Sequence, residues 1–199
     1  MSFPVRMHLP PTEYLDLPLR AHDLLREVPL YDVSCVDLPA GGAGRTLADV
    51  RELERSAPAS RVATILYRTR QVIGRVFRWD LDRIRPDESL VSQLSERDRR
   101  ESTVSPGSPD GDFLVIYRFS TEELRETRNA TVHGFICTAL AQTVTGYRLY
   151  WGVYVLHTSW LTSPYLLVIE PLRRLLYPAM LRRIRRAWIA TYGSEVGRG

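Results

Sequence analysis

The chain contains no lysine: all 27 of its basic residues are arginine. That absence excludes a Schiff base on a lysine amine and covalent attachment of pyridoxal phosphate. A phosphate loop of the Walker type, which needs its lysine, is excluded too. Cysteine is scarce. Cys35 and Cys137 are the only two, too few for a disulfide framework, and Cys137 sits in an apolar run that predicts a buried, reduced thiol. Long apolar runs are also lacking. The most apolar C-terminal stretch, 165–180, is interrupted by Glu170, Pro171, Arg173 and Arg174, so no bilayer span is expected. The first eleven residues hold three prolines and no apolar segment, and no signal peptide is expected there. The four histidines (His8, His22, His133, His157) lack ligand spacing, and no serine sits in a Gly-x-Ser-x-Gly elbow. Neither a metal nor a cofactor is expected.

The remaining composition is that of a globular protein. Of 199 residues, 44% are apolar and 25% charged, with a net charge of +4. The length suits one domain over 1–199, with an irregular proline-rich arm at 1–18 and a polar, turn-rich flexible loop at 95–111. The simplest location is the cytoplasm of a bacterium. A homodimer is compatible with these features.

Periodicity supplies the elements. A short helix is expected over 20–27, a strand over 30–38, and a loop at 39–44. Thr46-Leu-Ala-Asp49 reads as a capping-box variant opening a helix to about Ser56. A longer amphipathic helix is expected over 60–77 and a third helical piece over 88–94. Strands follow at 112–119, 130–144 and 147–160, the last two joined by a two-residue hairpin at Thr145-Gly146. Residues 120–129 read as a turn that begins the next strand, with Glu122, Glu123 and Glu126 in a solvated turn. Glu126 is also a candidate carboxylate partner for His133 or Arg128. Ser163-Pro164 suits a helix start and Gly193 a stop, with Pro171 and Pro178 expected to kink or divide the helix. The alternative makes 165–169 a strand. A continuous helix would present Tyr165, Ile169, Leu172, Leu176, Met180, Ile184, Ala187 and Thr191 to the core.

Pairing Val144 with Tyr147 divides the hairpin into two faces. Val132, Gly134, Ile136, Thr138 and Leu140 share one with Leu149, Trp151, Val153, Val155 and His157. His133, Phe135, Cys137 and Ala139 share the other with Arg148, Tyr150, Gly152, Tyr154 and Leu156. A one-residue slip would exchange the sets. The second face mixes aromatics, small residues and a few polar groups, as a ligand pocket does. His133 is therefore a candidate acid–base group and Tyr150 and Tyr154 candidate polarising groups, against the plain reading of packed, hydrogen-bonded side chains. Tyr117 and Arg118 point to opposite faces, so only one can line a cavity. The candidate ligand contacts from the strands are Tyr117, Arg118, Phe135, Cys137 and Trp151. From the helix they are Leu172, Leu176 and Met180. The glycines of 41–44 lack dinucleotide-binding spacing and read as a turn.

His133-Gly-Phe, the block 146–154 (Gly-Tyr-Arg-Leu-Tyr-Trp-Gly-Val-Tyr), and the close Ile169-Glu-Pro-Leu-Arg-Arg with Tyr177-Pro-Ala-Met-Leu-Arg-Arg183 carry a resemblance. They resemble an uncharacterised bacterial family of the START-like, helix-grip superfamily (SRPBCC), over about 112–190. The resemblance implies an α+β fold: a curved antiparallel sheet packed around a long C-terminal helix, with an apolar cavity between, here with extra N-terminal helices. Polyketide cyclases and aromatases, lipid carriers and plant hormone receptors share that superfamily, with no common catalytic motif. The expected function is binding of a hydrophobic small molecule between sheet and helix, with cofactor-independent cyclisation, dehydration or isomerisation of a polyketide-like metabolite. A non-catalytic carrier or sensor is the alternative. Arg173, Arg174, Arg182, Arg183, Arg185 and Arg186 have two readings: a solvated outer face, or a surface for anionic lipid or nucleic acid. That face lacks the interleaved aromatics of a single-strand binder, and no nucleic-acid partner is expected.

Overall fold

The computed structural model describes residues 6–7, 11–56, 89–128, 132–157 and 162–193. The helix expected over 60–77 lies outside the described residues. The fold is α+β, built on a curved, wholly antiparallel sheet. Its strands are β1 (Arg6–Met7), β2 (Leu30–Pro39), β3 (Pro109–Asp110), β4 (Phe113–Arg118), β5 (Glu122–Arg128), β6 (Val132–Thr143) and β7 (Gly146–His157), in the order β1-β2-β7-β6-β5-β4-β3. The helices are α1 (Pro11–Leu15), α2 (Arg20–Leu24), α3 (Leu47–Ser56), α4 (Glu96–Glu101) and α5 (Thr162–Tyr192), with a 3₁₀ turn at Leu90–Gln93.

The β6–β7 hairpin is the centre of the sheet. Both strands are rich in β-branched and aromatic residues, which suit a pleated, buried surface. Thr143 pairs with Gly146, so the loop is Val144-Thr145 and the partner of Tyr147 is Gln142 rather than the expected Val144. The shift is two residues, an even number, so the two expected face sets survive it. Glycine is required at 146, where φ is 145° and a Cβ would sit 2.4 Å from the Leu38 carbonyl oxygen.

Each face carries its own core. On one, Val36, Leu38, Leu140, Leu149 and Trp151 pack against Leu47, Val50 and Leu53 of α3 and against α5. On the other, Cys35, Tyr117, Leu124, Phe135, Cys137 and Tyr154 pack under α1, α2 and the 3₁₀ turn. Helix α5 runs through Pro171 and Pro178 as a single element. Arg173, Leu181, Ile184 and Trp188 are buried along it with Tyr177 half-buried, a stripe that shares Ile184 with the expected face and otherwise lies one position round from it. Thr191, assigned to the core from sequence, is exposed. The stripe follows the heaviest side chain. Trp188 is fully buried, donates from Nε1 to the Pro39 carbonyl at 2.9 Å, and lies so close to Gly41 that a Cβ there would be 2.5 Å from its ring. The glycine-rich loop is thus shaped to receive an indole. Towards the start of α5, Arg173 bonds buried Asp32 of β2 and stacks over the rings of Tyr31 and Tyr177 at 4.9 and 5.5 Å.

Three further expectations need correction. The arm read as irregular over 1–18 contains β1 and α1. Residues 95–111, read as a flexible loop, contain α4 and β3. The signal was present in Ser95-x-x-Asp98, a complete capping box in the structure. Glu122, Glu123 and Glu126, read as a solvated turn, lie in β5 at 6, 2 and 0% exposure. A strand can bury carboxylates when every one is bonded, and each of these is.

Trp188→Ala is expected to lower stability by about 3–5 kcal/mol, because the cavity left between α5 and the 39–44 loop cannot collapse onto glycine. Urea denaturation followed by circular dichroism checks this.

Candidate functional site

Strand β5 distributes its carboxylates by parity. Glu122 and Glu126 face the N-terminal helices, and Glu123 faces α3 and α5. Glu123 accepts both Arg51 Nη1 contacts at 3.0 and 3.1 Å and a further bond from Arg118 Nε. Arg51 Nη2 reaches Asp110 at 2.7 Å and Arg118 Nη2 reaches it at 3.2 Å. Partial burial alone would raise the Asp110 carboxyl, but the Arg51 bond and charge, with Arg125 and Arg118, hold it below the usual aspartate value. Arg125 Nε lies 2.9 Å from Glu123 Oε1 yet is out of line for a hydrogen bond.

This charged cluster forms one wall of a cleft between sheet and helices. Leu47 and Val50 of α3, Ile184 of α5, and Leu149 and Trp151 of β7 supply its apolar walls. Thr138 projects from the sheet, on the cross-strand row that runs Arg118, Glu123, Thr138, Trp151. Its hydroxyl is buried and makes no hydrogen bond among the described residues. The cavity volume is about 20 Å³, room for about one water.

On the opposite face the polar groups singled out from sequence meet other groups of the protein. His133 Nε2 lies 3.2 Å from Glu126 Oε2, the carboxylate partner anticipated from sequence. Ser89 donates to the other Glu126 oxygen and also caps the 3₁₀ turn through the Val91 N–H. The serine meets the carboxylate and not the imidazole, so no serine–histidine nucleophile pair is formed. Glu122 accepts the backbone N–H groups of Arg20 and Ala21 at 2.9 and 2.8 Å and the Tyr117 hydroxyl. Tyr14 fills the groove over Gly152, where a Cβ would stand 2.4 Å from its hydroxyl oxygen. Its hydroxyl is 3.4 Å from that of Tyr154, which also lies 3.2 Å from His22 Nδ1. Tyr150 donates to Glu13 at 2.9 Å. Burial pushes the Cys137 thiol up, with Glu122 adding to it, so it stays protonated.

The sheet therefore divides the residues singled out from sequence. His133, Tyr150, Tyr154, Tyr117, Phe135 and Cys137 lie under the N-terminal helices, and Arg118, Trp151 and Met180 lie on the α5 side. Leu176 is half-buried on α5, and the side chain of Leu172 lies outside the described residues. The structure brings together two groups, not one pocket. Sequence reasoning missed Tyr14 and His22, placed in or beside an irregular arm, and Arg51, Asp110 and Thr138, whose proximity exists only across strands. Of the helix arginines, Arg183 donates to the Glu54 carbonyl and Arg185 to the Asp37 carbonyl, while Arg182 and Arg186 are exposed. No group of metal-binding side chains is found among the described residues, and no helix among them is long and apolar enough to cross a membrane.

Two measurements probe these sites. Thr138→Val should raise stability by about 1 kcal/mol, since it replaces a buried unbonded hydroxyl by a methyl of equal size; a lower melting temperature would contradict the assignment. Burial, with weaker help from neighbours, raises the phenols of Tyr14, Tyr117 and Tyr154, and burial with the Glu13 bond takes Tyr150 up to about 12. Unfolded tyrosine ionises near 10, so the unfolded chain binds fewer protons above that pH and stability falls as pH rises. Phenolate absorbance should therefore appear in two steps, the second coinciding with loss of the circular dichroism signal.

No curated protein and no solved structure matches the chain. A family model does, over residues 24–180, a span that holds the sheet and α3 sides of the cleft and ends before Ile184 of α5. The chain belongs to the family described as "Protein of unknown function (DUF2867)".

Proposed function

We propose that the chain is a START-like, helix-grip binding domain that holds a small organic molecule between the sheet and α5. The observation that supports this most is the cleft itself: apolar walls from Val50, Leu149, Trp151 and Ile184 converge on a buried hydroxyl with no hydrogen-bond partner among the described residues. Pockets for drug-sized ligands run to about 300–1,000 Å³, so the cavity of about 20 Å³ takes one polar atom of the ligand, with its body on the open side.

Carriage or sensing fits this cleft better than turnover. Cyclisation, dehydration or isomerisation of a polyketide-like metabolite through His133, Tyr150 and Tyr154 would need those groups at the ligand. They lie across the sheet, and each bonds or closely approaches a protein group. Titration with the uncharged fluorophore N-phenyl-1-naphthylamine tests the reading. Saturable binding is expected, with NMR shifts at Trp151, Val50 and Ile184 and unchanged affinity in His133→Gln. No saturable binding, or shifts confined to Phe135, Cys137 and Tyr154, would remove it.

A second reading rests on the outward side of α5. Leu167, Leu175 and Ile189 are exposed there beside Arg174, Arg182 and Arg186, with Glu170 paired to Arg174 at 2.8 Å. Exposed apolar and cationic groups on one helix face suit an anionic lipid surface. Flotation with phosphatidylserine vesicles, abolished by salt and by Leu175→Glu, is the expected result; equal recovery with neutral vesicles would exclude it.

A further inference from the structure

We infer that the cleft seats its ligand by a single uncharged hydroxyl, an alcohol or phenol oxygen set against Thr138, and turns away charged head groups. This deepens the binding reading above and rests on it. Open hydrogen-bonding groups, charge and size all lead to the same head group.

The strand register isolates Thr138. It pairs with Glu123 on one side and Trp151 on the other. Both Glu123 oxygens already accept guanidinium bonds, from Arg51 and Arg118, and Trp151 belongs to the apolar wall. The Thr138 hydroxyl, on a residue only 8% exposed, lines the cleft and has no hydrogen-bond partner among the described residues. Such a group is costly to leave unbonded, and a ligand that bonds it removes the penalty. A threonine hydroxyl can donate and accept. The Glu54 carboxylate, also in the lining, accepts no hydrogen bond among the described residues. A donor and acceptors thus remain open around the cleft, and a ligand hydroxyl can serve either kind.

The charges in the lining cancel. Arg51 and Arg125 stand against Glu54 and Glu123, and Arg125 is held to Glu123 at 2.9 Å. A carboxylate, phosphate or ammonium brought into this partly desolvated space would lose hydration with no opposite charge left over to meet it. Size agrees with charge. The cavity volume of about 20 Å³ holds about one water. A hydroxyl is the organic group closest to water in size and in bonding, whereas the oxygens of a carboxylate or a phosphate exceed that room. Val50, Leu149, Trp151 and Ile184 then meet the carbons behind the ligand oxygen.

Displacement of N-phenyl-1-naphthylamine from the full chain by octan-1-ol, octanoate and octylammonium provides the test. At neutral pH octan-1-ol should displace the fluorophore at a concentration about tenfold or more below that of either ion. Thr138→Val should weaken octan-1-ol several-fold and leave the two ions unchanged, a split that hydrophobicity alone would not produce. Thr138→Ser, which keeps the hydroxyl, should retain the preference for the alcohol. Thr138→Val is expected to fold, and its melting curve checks that a lost preference does not reflect lost structure. Octanoate or octylammonium binding as tightly as octan-1-ol would overturn the inference and leave the binding reading standing. An octan-1-ol affinity unmoved by Thr138→Val, the result expected if the hydroxyl meets only a water, would overturn it in the same way. Absence of any saturable fluorophore binding would remove the binding reading and the inference with it.

Discussion

Three buried carboxylates on one strand hold the helical shell to the sheet. Glu122, Glu123 and Glu126 stand within five residues of β5, yet each anchors a different peripheral element. Glu122 receives the first backbone N–H groups of α2, satisfying donors that a helix start leaves open. Glu126 receives Ser89 and His133 and so ties the 3₁₀ turn to β6. Glu123 receives Arg51 from α3 and Arg118 from β4. Removing one partner of such a buried arrangement costs about 3–5 kcal/mol, because the remaining charge is stranded. Alternation along the strand sends the first and last of these ties to one side of the sheet and the middle one to the other. One short segment therefore fixes both outer layers.

That division governs what each face can do. On the N-terminal side, polar groups meet polar groups of the protein itself, and Tyr14 occupies the space that Gly152 leaves open. Such a face is committed to structure: its phenols are deeply buried and its histidines bond to Glu126 and to Tyr154. On the α5 side, apolar packing is dense around Trp188 and Leu181 but ends at a polar band where Thr138 and Arg125 retain unused donors. Native proteins seldom leave buried polar atoms unpaired, and Thr138 Oγ1 and Arg125 Nε are two that find no hydrogen-bond partner among the described residues.

The legible part of this structure was the part governed by parity. Assigning β6 and β7 to faces needed only alternation, and a two-residue error in pairing left every assignment intact. Helix α5 was legible as an element despite its prolines, but its stripe was misplaced by one residue because counting apolar positions gave Leu176 and Thr191 the same weight as Tyr177 and Trp188. Strand β5 was not legible. Glu-Glu-Leu-Arg-Glu-Thr-Arg carries charge on both faces, and nothing local separates a buried, fully bonded strand from a solvated turn. The partners that decide it, Arg51, Ser89 and the α2 amides, are up to about a hundred residues away. The cleft shares this dependence, since Thr138 becomes notable only when its neighbours fail to bond it.

The absence of lysine acquires meaning at this cluster. Arg51 bonds both Glu123 oxygens through one nitrogen and Asp110 through another, bridging two carboxylates with one planar group. Arg118 bridges the same pair from the other side. Arg173 similarly joins Asp32 and Glu170 while its flat face lies over two phenol rings. An ammonium is a compact point charge on a flexible stem and offers neither the fork nor the flat face. Buried Glu123 and Asp32, on the α5 side of the sheet, thus rely on a donor geometry that only guanidinium supplies. Whatever set the composition of the chain, the ion-pair layer between sheet and helices is now built to that one shape.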